Sequence, residues 1–309
     1  MSFTVALFNV LLTLYYMIPG FVLCKAKKAS ADHLSTLSAI LIYVLTPFMV
    51  ISSFLNLDYA PENLGRMGLF FVATFLLQTL FILLVVLLFR RKFDLPKVRI
   101  LTIGSIAGNV GFFGIPIMKA LMPGAPEVVS YASVYAVSMN ILAYTVGVFC
   151  LTGDRFYISL KKAFCNPTVL SLFVAVPLYV TGAKGYLPEL VQNAIGLLSS
   201  MTTPLCMLIL GIRLATVSLP RLFSRPLVYL TCAAKLLVFP LFCFGIVSLF
   251  PLPESFRAAV LILSGTPCAS IVLNLAELHG KETELSANCV LVCTILCFLT
   301  IPVLTLFLG

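Results

Sequence analysis

Apolar residues run through this chain in long blocks, separated by short clusters of charge, glycine and proline. A helix that crosses the hydrocarbon core of a bilayer needs roughly 20 such residues. The pattern predicts ten, at residues 3–23, 34–56, 66–89, 98–122, 129–151, 167–183, 187–212, 226–250, 255–279 and 285–308. No polar stretch between them is long enough for a separate domain. The first block lacks a basic leader and a small-residue cleavage site, so it is expected to be a span and not a removed signal peptide.

Two of the blocks are interrupted at about mid-bilayer depth. Residues 103–116, Ile-Gly-Ser-Ile-Ala-Gly-Asn-Val-Gly-Phe-Phe-Gly-Ile-Pro, put four glycines, an asparagine and a proline into span 4. Ser264-Gly265-Thr266-Pro267 does the same in span 9, 157 residues later. Backbone groups left unpaired in lipid cost several kcal/mol each, so a broken helix survives there only where it lines a cavity or is buried in protein.

Sliding the chain over itself by 157 residues aligns Thr46-Pro47 with Thr203-Pro204, Leu95-Pro96 with Leu252-Pro253, and Gly108 with Gly265, without a gap. The predicted fold is therefore all-α, with two five-helix repeats, residues 1–157 and 158–309. Five is odd, so the second copy enters the membrane upside down. Inverted repeats with paired discontinuous helices mark secondary transporters, whose sites lie at the repeat interface near the midplane. Pro47 and Pro204 each remove a backbone donor and are expected to kink spans 2 and 7.

The breaks supply the candidate chemistry. Half-helix N-termini carry partial positive charge and free N–H groups, a seat for a carboxylate. Gly108, Gly111, Gly114 and Gly265 let the backbone unwind and a ligand approach closely. Asn109 and Thr266 occupy equivalent positions in the two copies and are expected to join the site, with helix capping as the plainer role. Asn140 in span 5 is a further contributor, with a simple interhelical hydrogen bond as its alternative.

Lys235 falls well inside span 8, where a cation costs roughly 2.5–3.5 kcal/mol on insertion scales. Snorkelling to an interface is the plain alternative. The functional alternatives are attraction of an anionic substrate and replacement of a coupling cation. Its repeat mate is Gln78, a second polar residue within a span. No Asp or Glu lies at mid-span, and Glu277 sits toward the end of span 9, which disfavours a proton relay or an acidic sodium cage. Neutral oxygens from Asn109, Thr266 and unwound carbonyls could still hold sodium, so the coupling ion, proton or sodium, stays open.

Composition narrows the class. The chain of 309 residues is 61% hydrophobic and only 10% charged, and has no tryptophan, against about a quarter charged in soluble domains. The net charge of +9 is topological and does not signal nucleic acid. Fifteen lysines and arginines fall in the loops 1–2, 3–4, 5–6, 7–8 and 9–10, among them Lys25, Arg90, Lys162, Arg221 and Arg225. The opposite loops hold four, Arg66, Lys119, Lys184 and Arg257. The rich face is expected to be cytoplasmic, with both termini outside and some contact with anionic lipid. Cys289, Cys293 and Cys297 share a face of span 10 without any histidine or acid, which favours packing over a metal site. No metal, no cofactor and no enzymatic activity are expected, since neither an aspartate dyad nor a mid-span serine–histidine pair is present.

The run Gly108-Asn109-Val110-Gly111-Phe112-Phe113-Gly114-Ile115-Pro116, the Lys235-x4-Pro240 of span 8, Asn166-Pro167 opening span 6, and the stretch from Pro267 through Ala276 and Gly280 resemble the auxin efflux carrier family. The likeness covers nearly the whole chain and is closest to the short, bacterial-type members related to the plant carriers. It implies a fold like the bile acid:sodium symporters, with broken helices 4 and 9 crossing. Spans 1, 2, 6 and 7 would form a scaffold and a homodimer interface. Spans 3, 4, 5, 8, 9 and 10 would form a transport domain that moves like an elevator. The likeness implies organic-anion substrates, auxin in plants and carboxylates such as malate or malonate in bacteria, and a place in the bacterial inner membrane. By position Asn109, Pro116 and Pro267 would belong to the crossover, and Lys235, with Gln78, to a supporting polar site. Pro267 aligns with Val110 at the offset of 157, not with Pro116, so the pseudo-symmetry is imperfect.

The function expected is alternating-access transport of a small organic anion. A sodium-coupled symporter of the bile-acid type and a non-transporting membrane sensor are the alternatives. A sensor would need a signalling domain, and the sequence ends at Gly309 directly after span 10.

Overall fold

The computed structural model describes residues 3–125, 127–152, 161, 164–165, 167–216, 222, 225–280 and 282–308. Lys162, Asn166 and Arg221, with most of the link between spans 5 and 6, lie outside the described residues, as do the side chains of Pro116 and Lys119. In chain order the helices are α1 (Phe3–Tyr15), α2 (Met17–Lys25), α3 (Ala31–Leu55), α4 (Pro61–Leu88), α5 (Pro96–Ile106) and α6 (110–121). They continue with α7 (Glu127–Cys150), α8 (Pro167–Val180), α9 (Glu189–Thr216), α10 (Pro226–Val247), α11 (Glu254–Ser264), α12 (Ser270–His279) and α13 (Thr283–Leu308).

Six of these, α3, α4, α7, α9, α10 and α13, are individually long and apolar enough to cross a membrane. The other four expected spans take shorter forms. Span 1 is divided at Tyr16 into α1 and α2, and span 6 is the 14-residue α8. Spans 4 and 9 are each cut in two, at residues 107–109 and 265–269.

Proline sets several of the boundaries. It occupies the first position of α4, α5, α8 and α10, where its missing N–H would have no intrahelical partner anyway. Within helices it has a different signature. A π-helical turn ends two residues before Pro47, Pro116 and Pro240, at Ile40–Leu45, Val110–Gly114 and Ala234–Val238. A proline interior to a helix removes one hydrogen bond and crowds the preceding turn; the wider turn absorbs both effects without ending the helix. At the first of these the Thr46 hydroxyl donates to the Leu41 carbonyl, 2.7 Å.

The helices also recur at a regular spacing. α3, α4, α5 and α7 begin at 31, 61, 96 and 127, and α9, α10, α11 and α13 at 189, 226, 254 and 283. α3 and α9 meet where the hydroxyl of Thr202 donates to the carbonyl of Leu45, 157 positions away.

Packing sorts the helices into two groups. α9 lies along α2 and α3, and α8 along α3. A β-carbon on Gly20 or Gly211 would collide with the backbone of the facing helix, at Leu208 and Met17 respectively, so both positions need glycine for α2 and α9 to touch. In the second group α4 packs on α7, α10 on α11 and α13, and α12 on α13. α1 leans on α6 and α13 and so joins the second group to the first. Polarity is arranged inside out. Gln78, Thr102, Ser105, Ser138 and Thr266 are buried, while Leu69, Leu83, Leu87, Leu88 and Phe173 are exposed, as suits helices solvated by lipid.

Candidate functional site

The two broken helices meet backbone to backbone. Asn109 N–H donates to the Pro267 carbonyl (2.7 Å), and Ala269 N–H donates to the Ala107 carbonyl (2.9 Å). Together they make an antiparallel bridge between Gly108 and Cys268. Each break therefore satisfies the polar groups that the other leaves open, the condition for irregular backbone at membrane depth. Gly108 makes this approach possible. A β-carbon there would run into the Thr266 hydroxyl and come within 3.1 Å of Lys235 Nζ.

On one side of this crossover lies a cavity of about 160 Å³. Gly108, Asn109 and Gly111 from the first break and Asn140 from α7 line it. So do Val110 and Ser270, the first residues of α6 and α12, so two half-helix N-termini border the same space. Asn109 and Asn140 are buried, 5% and 8% exposed, yet present on the wall. Cys206 of α9 lines the same space.

The other expected site residues lie off this wall. Thr266 turns its hydroxyl back to the Leu263 carbonyl (2.7 Å), the capping role and not the ligand-facing one. Gly265 faces Leu304 of α13, and Gly114 faces Leu263. Pro267 contributes its carbonyl to the bridge. Pro116 stands in α6, its side chain outside the described residues. The equivalence of Asn109 and Thr266 in sequence is thus not an equivalence in space: one faces the cavity and one closes a helix end.

Lys235 is fully buried behind the crossover. Its ammonium donates to the Ser264 carbonyl at the end of α11 and lies 5.2 Å from the centroid of the Phe239 ring. A helix C-terminus carries partial negative charge, so the fold supplies a counter-charge to this cation. Gln78 belongs to a separate network, donating to Ser138 Oγ (2.9 Å) and to the Thr74 carbonyl (3.0 Å). Neither residue lines the cavity. Cys289, Cys293 and Cys297 are buried, with Cys293 Sγ 3.2 Å from Cys232 Sγ between α13 and α10.

Several cavity residues were not expected from sequence: Ser133, Tyr144, Arg213, Ser270 and Asn274. Arg213 stands one residue beyond the expected end of span 7 and reads there as a loop charge. α9 continues to Thr216, so it is a helical residue instead. The signal available was topological: Arg213 and Glu277 close spans 7 and 9 on the same face, and their side chains meet at 3.5 Å.

A family model described as membrane transport protein matches residues 5–158 and 154–305. An uncharacterized transporter of Methanocaldococcus jannaschii is 25% identical over 277 residues, covering 87% of this chain and 88% of its own. An uncharacterized transporter of Methanothermobacter thermautotrophicus is 23% identical over 298 residues, covering 95% of each chain. The chain belongs to the membrane transport protein family, that of the auxin efflux carriers, and is a multi-pass membrane protein.

Proposed function

We propose that this membrane transport protein carries a small organic anion across the cell membrane by elevator-type alternating access. One observation carries the reading: the unwound backbone of two broken helices is locked together beside a cavity that Asn109 and both half-helix N-termini border. Amide donors and the positive ends of helix dipoles, held at membrane depth, suit a carboxylate. No carboxylate lines the cavity among the described residues.

The finer architecture belongs to the same reading. Ten spans form two inverted repeats with a bile acid:sodium symporter-like crossover, and the recurrence of helices near an offset of 157 supports this. The division of packing supports a scaffold of spans 1, 2, 6 and 7, dimeric in the membrane, beside a transport domain of the other six. Both termini face outward and the basic loops face the cytoplasm. Lys235 steadies the crossover from behind, and Asn109 and Asn140 meet the anion.

The test is binding of malonate, malate and citrate to the purified full chain in detergent, each with and without sodium. Asn109→Ala is expected to weaken binding at least about tenfold while the melting temperature without ligand stays as in the wild type. Wild-type affinity in that variant would remove Asn109 from the site. Stabilisation by carboxylate only when sodium is present would make the carrier a sodium symporter of the bile-acid type.

A further inference from the structure

We infer that Arg213 selects negative charge in the central cavity and that Glu277 is the internal anion it exchanges for the substrate. This rests on the transport reading above and adds the residue that gives the site its sign. Among the described residues that line the cavity, Arg213 is the one ionised side chain. Its neighbours there, such as Asn109, Asn140, Ser270 and Asn274, are neutral donors and acceptors. They can orient a carboxylate, and the helix ends beside them add only partial positive charge.

Arg213 stands at a boundary. It lines both the central cavity and a second cavity of about 450 Å³, whereas Glu277 lines only the second. Nη1 of Arg213 is 3.5 Å from Oε1 of Glu277, well beyond the roughly 2.7–2.9 Å of a tight charge-assisted bond. A guanidinium has five N–H donors, and Glu277 is its one ionic partner among the described residues. The Arg213 side chain is 16% exposed and that of Glu277 50%. The cation is thus fixed in the wall, while its carboxylate partner can withdraw into water at little cost.

The two residues also belong to different packing groups, Arg213 on α9 beside α2 and α3, Glu277 on α12 beside α13. The ion pair therefore ties one group to the other. A substrate carboxylate that takes the guanidinium frees Glu277 and unties them. Occupancy of the site is thereby coupled to the movement that transport requires.

Malonate binding to the detergent-purified full chain separates this role from that of a plain surface ion pair. A structural pair predicts that losing either partner has the same consequence. Exchange predicts opposite signs. Arg213→Gln should weaken malonate binding about ten- to hundredfold, as expected for loss of a hydrogen-bonded charge. Glu277→Gln should tighten it about two- to fivefold, since a competitor on an exposed ion pair is gone. Arg213→Lys, with the charge kept, should bind better than Arg213→Gln at a similar melting temperature, which excludes misfolding as the cause. Shifts of the same sign in Arg213→Gln and Glu277→Gln, or no shift in either, overturn the inference. If wild type binds malonate and Asn109→Ala does not while both charge variants bind normally, this inference falls and the transport reading stands. If no carboxylate binds the wild type, with or without sodium, both fall.

Discussion

The crossover has two sides, and each holds a cation in a different manner. Behind it, Lys235 is completely buried, its ammonium on the Ser264 carbonyl where α11 ends. In front of it, Arg213 borders the cavity and is held by the side chain of Glu277. The counter-charge of Lys235 is the backbone itself, which no solute can displace. The counter-charge of Arg213 is a half-exposed carboxylate on another helix, which a second carboxylate can replace. In the transport reading the buried cation belongs to the frame, and the one bordering the cavity meets the ligand.

Substitutions on the two sides are expected to fail differently, which gives ways to break the comparison. The largest effect should come from Gly265→Val behind the crossover. Its side chain would collide with Leu304, and its β-carbon would stand 3.2 Å from the Leu261 carbonyl. Overpacking of this kind costs about 1–3 kcal/mol, read as a fall in melting temperature that is the same with and without malonate. Lys235→Met comes next, at about 1 kcal/mol. It leaves the Ser264 carbonyl without its donor, a loss partly offset by removal of a buried charge. Unchanged melting with malonate binding abolished would move Lys235 to the ligand side and end the distinction. The smallest effect belongs to the cavity wall. Asn140→Ala should keep the melting temperature and weaken malonate binding about two- to tenfold, the worth of one hydrogen bond. A variant that melts early and binds normally would instead make Asn140 a helix–helix contact.

Much of the framework was legible in the linear pattern. Six long helices fall where apolar blocks predict spans, and the interruptions at Gly108 and Gly265 are breaks. Asn109 and Asn140 both line one cavity. Other features were hidden for particular reasons. Pro47 gave notice of a lost donor, but a π turn at Ile40–Leu45 takes up the loss, a choice that depends on the surrounding packing. The offset of 157 pairs Gly108 with Gly265, whereas the backbone pairs Gly108 with Cys268. Translation along a chain cannot reveal which residues two crossing segments bring face to face.

The sequence alone determined that this chain is a bundle of apolar helices for a membrane, and where two of those helices must come apart. Periodicity, proline and glycine act locally, and their effects on backbone hydrogen bonding need no distant partner. Only the tertiary structure decided which polar groups face a common space. Asn109 and Thr266 hold matching places in the chain, yet one lines the cavity and the other closes a helix. Arg213 and Glu277 lie 64 positions apart, and their side chains meet at 3.5 Å across α9 and α12. Such meetings depend on how helices cross, and crossing is settled by contacts distributed over the whole bundle.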